Sequence, residues 1–332
     1  MSAPVLVNAD RFRAAHEADW SRLDALITRV EKRSVRALSD EDLLALPLLY
    51  RTTLSSLASA RATSLDRSLV DYLEQLSTRA YFQLYGPPGS AAAQVGRFLR
   101  VDWPAAVRAL WRETLAMFLL SVAAAVAGYL LVRADPSWYY GIIPDGMAQG
   151  RDPTASAEGL RETLGGSKEG WLATFATFLF THNAQVAIFS FALGLAFGVP
   201  TVLLIAYNGL SLGAMVAVFA SKGVGAEFGA WLTIHGTTEL FAIMLSGAAG
   251  LKIGVALAFP GRRTRGDAAT AAGRTGAQVM IGAVLMLAVA GLLEGIGRQT
   301  VESGPARVAV GAVMLACWLT YFYLPRSRRG GA

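Results

Sequence analysis

Beyond residue 112 the chain alternates between long apolar runs and short polar ones, a pattern that predicts helices long enough to cross a membrane. From Trp171 to Ser221 there is no Asp, Glu, Lys or Arg. A crossing needs ~20 apolar residues, so this run holds two and has to fold back between them. Two places could break it: GVP at 198–200, where Pro200 suits the first turn of a following helix, and YNG at 207–209. The break at Pro200 is the better choice because it leaves two full-length crossings. The same reading puts spans near 114–132, 171–198, 200–221, 228–259, 277–293 and 308–324, within a transmembrane domain covering 113–325.

Residues 1–89 read as a helical bundle in water. Phe12, Trp20, Leu23, Ile27 and Val30 recur at helical spacing among polar residues. Ser39, with Asp42 three residues on, resembles a capping box opening a second helix. Pro47 is expected to interrupt that helix, with LYRTTLSSLASAR continuing as a third. Leu69, Leu73, Leu76, Ala80 and Leu84 line a fourth, which GPPG ends at 86–89. Between this bundle and the first span, residues 90–112 interleave Arg97, Arg100, Arg108 and Arg112 with Phe98, Leu99, Trp103 and Trp111. That composition suits an amphipathic helix in the membrane interface; an ordinary last helix of the bundle is the alternative.

Charge orients the spans. The segment 133–170 carries four basic and six acidic residues, whereas 260–274 carries four arginines and one aspartate, and the last span runs into PRSRR. With the arginine-rich segments inside, both termini are cytoplasmic and 133–170 lies outside. Only 16% of the 332 residues are charged, against ~25% in soluble domains. The net charge of +6 is then an orientation signal and a contact for anionic lipid at the inner face. The basic residues sit at span ends and form no single stripe, so nucleic acid is not an expected partner. The lone Cys317 excludes disulfides within the chain, and the first twenty residues lack the apolar segment of a signal peptide. The expected fold is all-α: a polytopic bundle of about six spans with an N-terminal cytoplasmic helical domain.

Two sets of residues stand out in the spans. Gly194/Gly198, Gly209/Gly213, Gly250/Gly254 and Gly291/Gly295 are GxxxG pairs, a spacing that lets helix backbones approach closely, within one bundle or in a homo-oligomer. His182, Asn183, Asn208, His235 and Glu239 fall near the bilayer middle when counted along the helices at ~1.5 Å per residue. Polar groups at that depth cost a few kcal/mol unless they are partnered, so these five are expected to meet. His235 and Glu239, four residues apart, share a helix face. The group could be structural glue between helices, or the lining of a cavity for a proton, an ion or a small polar solute. A third reading is a divalent-metal site of His182, His235 and Glu239, serving a metal-dependent intramembrane hydrolase. No Walker motif, GxSxG elbow or dinucleotide fingerprint is present in a fitting context. No catalytic residue or cofactor is therefore assigned.

FTHNAQVA at 180–187, YNG at 207–209, HGTTE at 235–239 and GAAGLKIG at 247–254 together resemble the stage II sporulation protein M family of integral membrane proteins. Asn183, Asn208, His235 and Glu239 match motif positions of that family. The N-terminal LLALPLLYRTTLSSLASAR looks like the soluble part of its longer members. The resemblance implies a bacterial inner-membrane protein acting as a scaffold or transport-like core with partners. The founding members resemble scaffold components of a peptidoglycan-remodelling complex. The longer ones tend to be encoded beside a MoxR-type ATPase and von Willebrand-type proteins. The long N-terminal extension departs from the short members and argues against a sporulation role.

Overall fold

The computed structural model describes residues 9–33, 35–63, 66–85, 91–164, 182–297, 300–301 and 303–324. Among these the chain is all-α, in two compact units, Met1–Gln94 and Val95–Ala332.

The first unit is built from α1 (Ala9–Arg33), α2 (Asp40–Ala62) and α3 (Arg67–Tyr85). Ser39 caps α2, its Oγ accepting from the Asp42 amide at 3.2 Å. The expected interruption at Pro47 does not occur, and α2 runs through it to Ala62. Pro47 lies on the exposed side of α2, where water can meet the carbonyl that loses its N–H partner. Leu46 before it, and Leu49, Tyr50 and Leu57 after it, are all buried in the apolar core. Three helices therefore do the work expected of four. Trp20, Leu23, Ile27, Leu73 and Leu76 fill the centre. Arg79 ties α3 to α1 through Asp24 at 2.6 Å and Glu31 at 2.8 Å.

The short helix α4 (Ala91–Arg97) crosses into the second unit, followed by a π-helical turn (Phe98–Asp102) and α5 (Trp103–Ala109). After α6 (Trp111–Ala134) come three short helices, α7 (Trp138–Ile142), α8 (Asp145–Ala148) and α9 (Ala157–Leu164). Residues 182–192 form α10. Then follow α11 (Val199–Ser221), α12 (Gly225–Ala258), α13 (Arg265–Leu292) and α14 (Gly304–Tyr323). Among the described residues, α6, α11, α12, α13 with its following turn, and α14 are long and apolar enough to cross a membrane. The expected second span, 171–198, lies partly outside the described residues.

Helix α12 is the centre of this unit and packs on α6, α11, α13 and α14. The break before α11 falls at Pro200. Phe197 and Gly198 both adopt left-handed backbone (φ 58° and 76°), and Pro200 sits in the first turn of α11. YNG lies inside that helix. At the same end, Lys252 pairs with Glu113 at 2.8 Å, and Arg108 donates to the Phe322 carbonyl at 2.8 Å. The start of α6 and the ends of α12 and α14 therefore form one basic end.

Within 98–110, Trp103, Ala106, Val107 and Leu110 are covered by protein, while Val101 stays exposed. Trp103, only 3% exposed, stacks on Phe98 and meets Trp318, Tyr321 and Phe322 edge-on. A side chain at Gly282 would overlap its indole. Arg97, Arg100, Arg108 and Arg112 all stay exposed. The buried side of α5 thus packs on α13 and α14.

At the opposite end, 135–164 is no free loop. Tyr139, Ile142, Ile143, Leu160 and Leu164 join Val132, Val218, Phe219, Phe228 and Trp231 in one apolar cluster. The Tyr139 hydroxyl donates to the Arg151 carbonyl at 2.6 Å; burial raises its pKa above the ordinary value, so it remains a donor. Tyr207 donates to the Ile142 carbonyl at 3.0 Å. Tyr207 lies 14 residues before Ser221, the end of α11, or ~21 Å along the helix. The segment thus folds down beside α11, and it carries Arg151 with it.

Candidate functional site: a polar cavity at the centre of the bundle

Helix α12 presents Trp231, His235 and Glu239 at steps of four, one stripe on a helix surface. That stripe faces a cavity of about 160 Å³. Helix α10 contributes His182 and Asn183, α11 contributes Asn208 and Ser211, and the inward-folded segment closes it with Ile143, Met147, Gln149 and Arg151. All five polar residues singled out in the spans line this one space.

Their contacts are specific. Asn183 Nδ2 donates to Glu239 Oε1 at 2.5 Å, joining α10 to α12. His235 is 2% and Glu239 8% exposed. The His235 ring meets Trp231 edge-on, with centroids 5.2 Å apart, and the Arg151 guanidinium lies 5.3 Å from the same indole. Arg151, itself 8% exposed, also donates to the Thr163 carbonyl. A column of Arg151, Trp231, His235, Glu239 and Asn183 therefore runs from the segment at the far end into the bundle.

Glu294 was missed by the sequence reading, which ended the fifth span one residue before it. It lies in the π-helical turn Leu293–Gly297, is 3% exposed, and is near enough for its charge to act on Glu239. An acid directly abutting an apolar run was the available signal. Arg151 was also missed, and a polar segment between spans carries no signal that it folds inward.

A metal triad of His182, His235 and Glu239 is one of three readings of the sequence. Asn183, and not its neighbour, is the α10 residue that bonds Glu239, and adjacent helical residues point ~100° apart. No group of three His, Cys, Asp or Glu side chains among the described residues is placed to hold a metal ion. The arrangement provides instead one buried carboxylate, Glu239, with imidazoles and amides around a small space. It can hold a proton or a small cation.

Glycines bring these helices together. A Cβ at Gly194 would overlap the Gly250 carbonyl, and one at Gly254 would overlap the Gly198 amide. Gly209 and Gly213 lie against Ser121 and Ala125, so α6 and α11 run parallel in contact. These three pairs face neighbours within the chain and give no support to a homo-oligomer. The fourth pair, Gly291 and Gly295, differs: Gly295 has nothing within 4 Å. It lies in the π-helical turn, beyond the packed part of α13.

Residues 115–297, more than half of the chain and including every span that lines the cavity, match Stage II sporulation protein M. The chain belongs to that family. In this stage II sporulation protein M family member every lining residue of the cavity lies within the matched region. The first unit matches separately, over residues 10–86, a domain of unknown function (DUF8413). No curated protein and no solved structure matches the chain.

Proposed function

We propose that this family member is a transport-like membrane core whose cavity binds a proton or small cation at Glu239. The observation that carries the reading is the cavity itself, with the Asn183–Glu239 hydrogen bond within it and Glu294 close by. A buried carboxylate is costly to keep charged and alone, and a proton or cation bound at Glu239 relieves that cost. The separate helical unit preceding the spans is suited to docking partner proteins, a MoxR-type ATPase among the candidates. The arginines at the basic end support an inner-membrane orientation with that end in the cytoplasm.

The test is flux in proteoliposomes carrying a trapped pH- or cation-sensitive dye, under an imposed gradient. Parent protein should dissipate the gradient faster than empty liposomes. Glu239→Gln should lose that activity while keeping the parent's melting temperature. Parent liposomes no faster than empty ones would remove the transport reading.

A further inference from the structure

A second cavity, sharing only Leu240 with the polar one, opens on the outside of the bundle. It measures about 740 Å³ and is walled by Trp111, Leu115 and Phe118 of α6 and by Leu315, Leu319 and Tyr323 of α14. Its floor is α12, from Thr237 to Met244. The α6 and α14 residues belong to the helix turns nearest the basic end, so the groove runs from that end toward the bilayer middle over ~10–12 Å.

We propose that this groove is the binding site of one anionic phospholipid from the leaflet at the basic end. An apolar groove on a lipid-facing surface is filled by whatever surrounds it, because empty space forfeits dispersion contacts. The walls are bulky, with Leu115, Phe118 and Leu319 all more than 40% exposed. A second protein helix would need small residues to approach, whereas a flexible acyl chain fits between such side chains.

Lipid tails are alike, so the headgroup has to select the occupant. The groove's mouth supplies the charge. Trp111 lines it, and the Arg112 guanidinium lies 5.4 Å from that indole. Arg108 is held at the Phe322 carbonyl, next to the groove residue Tyr323. A phosphate between the two arginines would leave its acyl chain pointing down the groove. A tryptophan at the mouth suits the headgroup level.

The test uses the full chain purified in detergent and exchanged into micelles holding equal phosphatidylglycerol and phosphatidylcholine. Retained lipid is quantified by mass spectrometry after size exclusion. Parent protein should retain phosphatidylglycerol several-fold over phosphatidylcholine. The double variant Arg108→Gln/Arg112→Gln should lose that preference, and Leu319→Trp, which fills the groove without touching the charges, should lose the retained lipid. Both should melt near the parent, and if one does not fold the other decides. Equal retention of the two lipids by the parent, or unchanged retention in the folded variants, overturns the proposal. A dimer that Leu319→Trp dissociates would assign the groove to a second copy, and a co-purifying peptide lost with that variant would assign it to a partner helix. Either result overturns it as well.

Discussion

Adding one methyl group at Gly250 should destabilise the membrane unit measurably. A Cβ there would lie well inside ordinary contact with the Ser190 carbonyl of α10, and 3.1 Å from Thr201 Oγ1. Thr201 already donates to that carbonyl at 2.8 Å, pinning the start of α11 to α10. The obstructing atom is helix backbone and cannot swing aside, so α10 and α12 must separate. Overpacking of this kind costs ~1–3 kcal/mol, with the upper end fitting an obstacle that cannot move. Straining the Thr201 hydrogen bond adds about 1 kcal/mol. Alanine's better helix propensity returns about 1 kcal/mol. The net, about 2–3 kcal/mol, corresponds to a melting temperature lower by about 5–10 °C for a unit of this size. The assay is the folded fraction of the detergent-solubilised chain after heating, read by size exclusion. Gly141→Ala is the control, because nothing lies within 4 Å of that position. A Gly250→Ala protein melting with the parent, or a Gly141→Ala protein losing as much, would refute the argument from backbone contact.

At Glu239, Gln keeps an acceptor for Asn183 and should melt near the parent. Leu strands the Asn183 amide in the bundle and should cost ~1–3 kcal/mol; equal melting of the two would deny the hydrogen bond any structural weight. In the first unit, Arg79 holds the Glu31 carboxyl below its usual pKa. The stabilisation is thus complete above the unfolded carboxylate's pKa of ~4.3 and lost as pH falls through the lower folded value. Arg79→Ala should destabilise by about 1 kcal/mol at pH 7, since the pair is partly exposed. Urea titrations across pH should show the gap to the parent closing in acid. For topology, in a Cys317→Ser background, an impermeant thiol reagent applied to intact spheroplasts should label Ser156→Cys and miss Thr270→Cys. The reverse labelling would invert the orientation.

Much of this architecture was legible along the chain because it depends on local properties. Apolar length marked the crossings, and Pro200 marked the turn between two of them because a proline suits the first turn of a helix. Counting along helices put His182, Asn183, Asn208, His235 and Glu239 at a similar depth, and they line one cavity. What depends on helix rotation and on contacts between distant residues was decided only by the tertiary structure. Asn183, and not His182, meets Glu239 because α10 turns that face toward α12. The segment 135–164 folds inward because Tyr139, Ile142 and Leu160 find an apolar cluster among three other helices. Trp103 is buried because Gly282, 179 positions later, leaves room for its ring. Hydrophobic length is a property of each segment, whereas the partner of a buried polar or aromatic side chain is a property of the packed bundle.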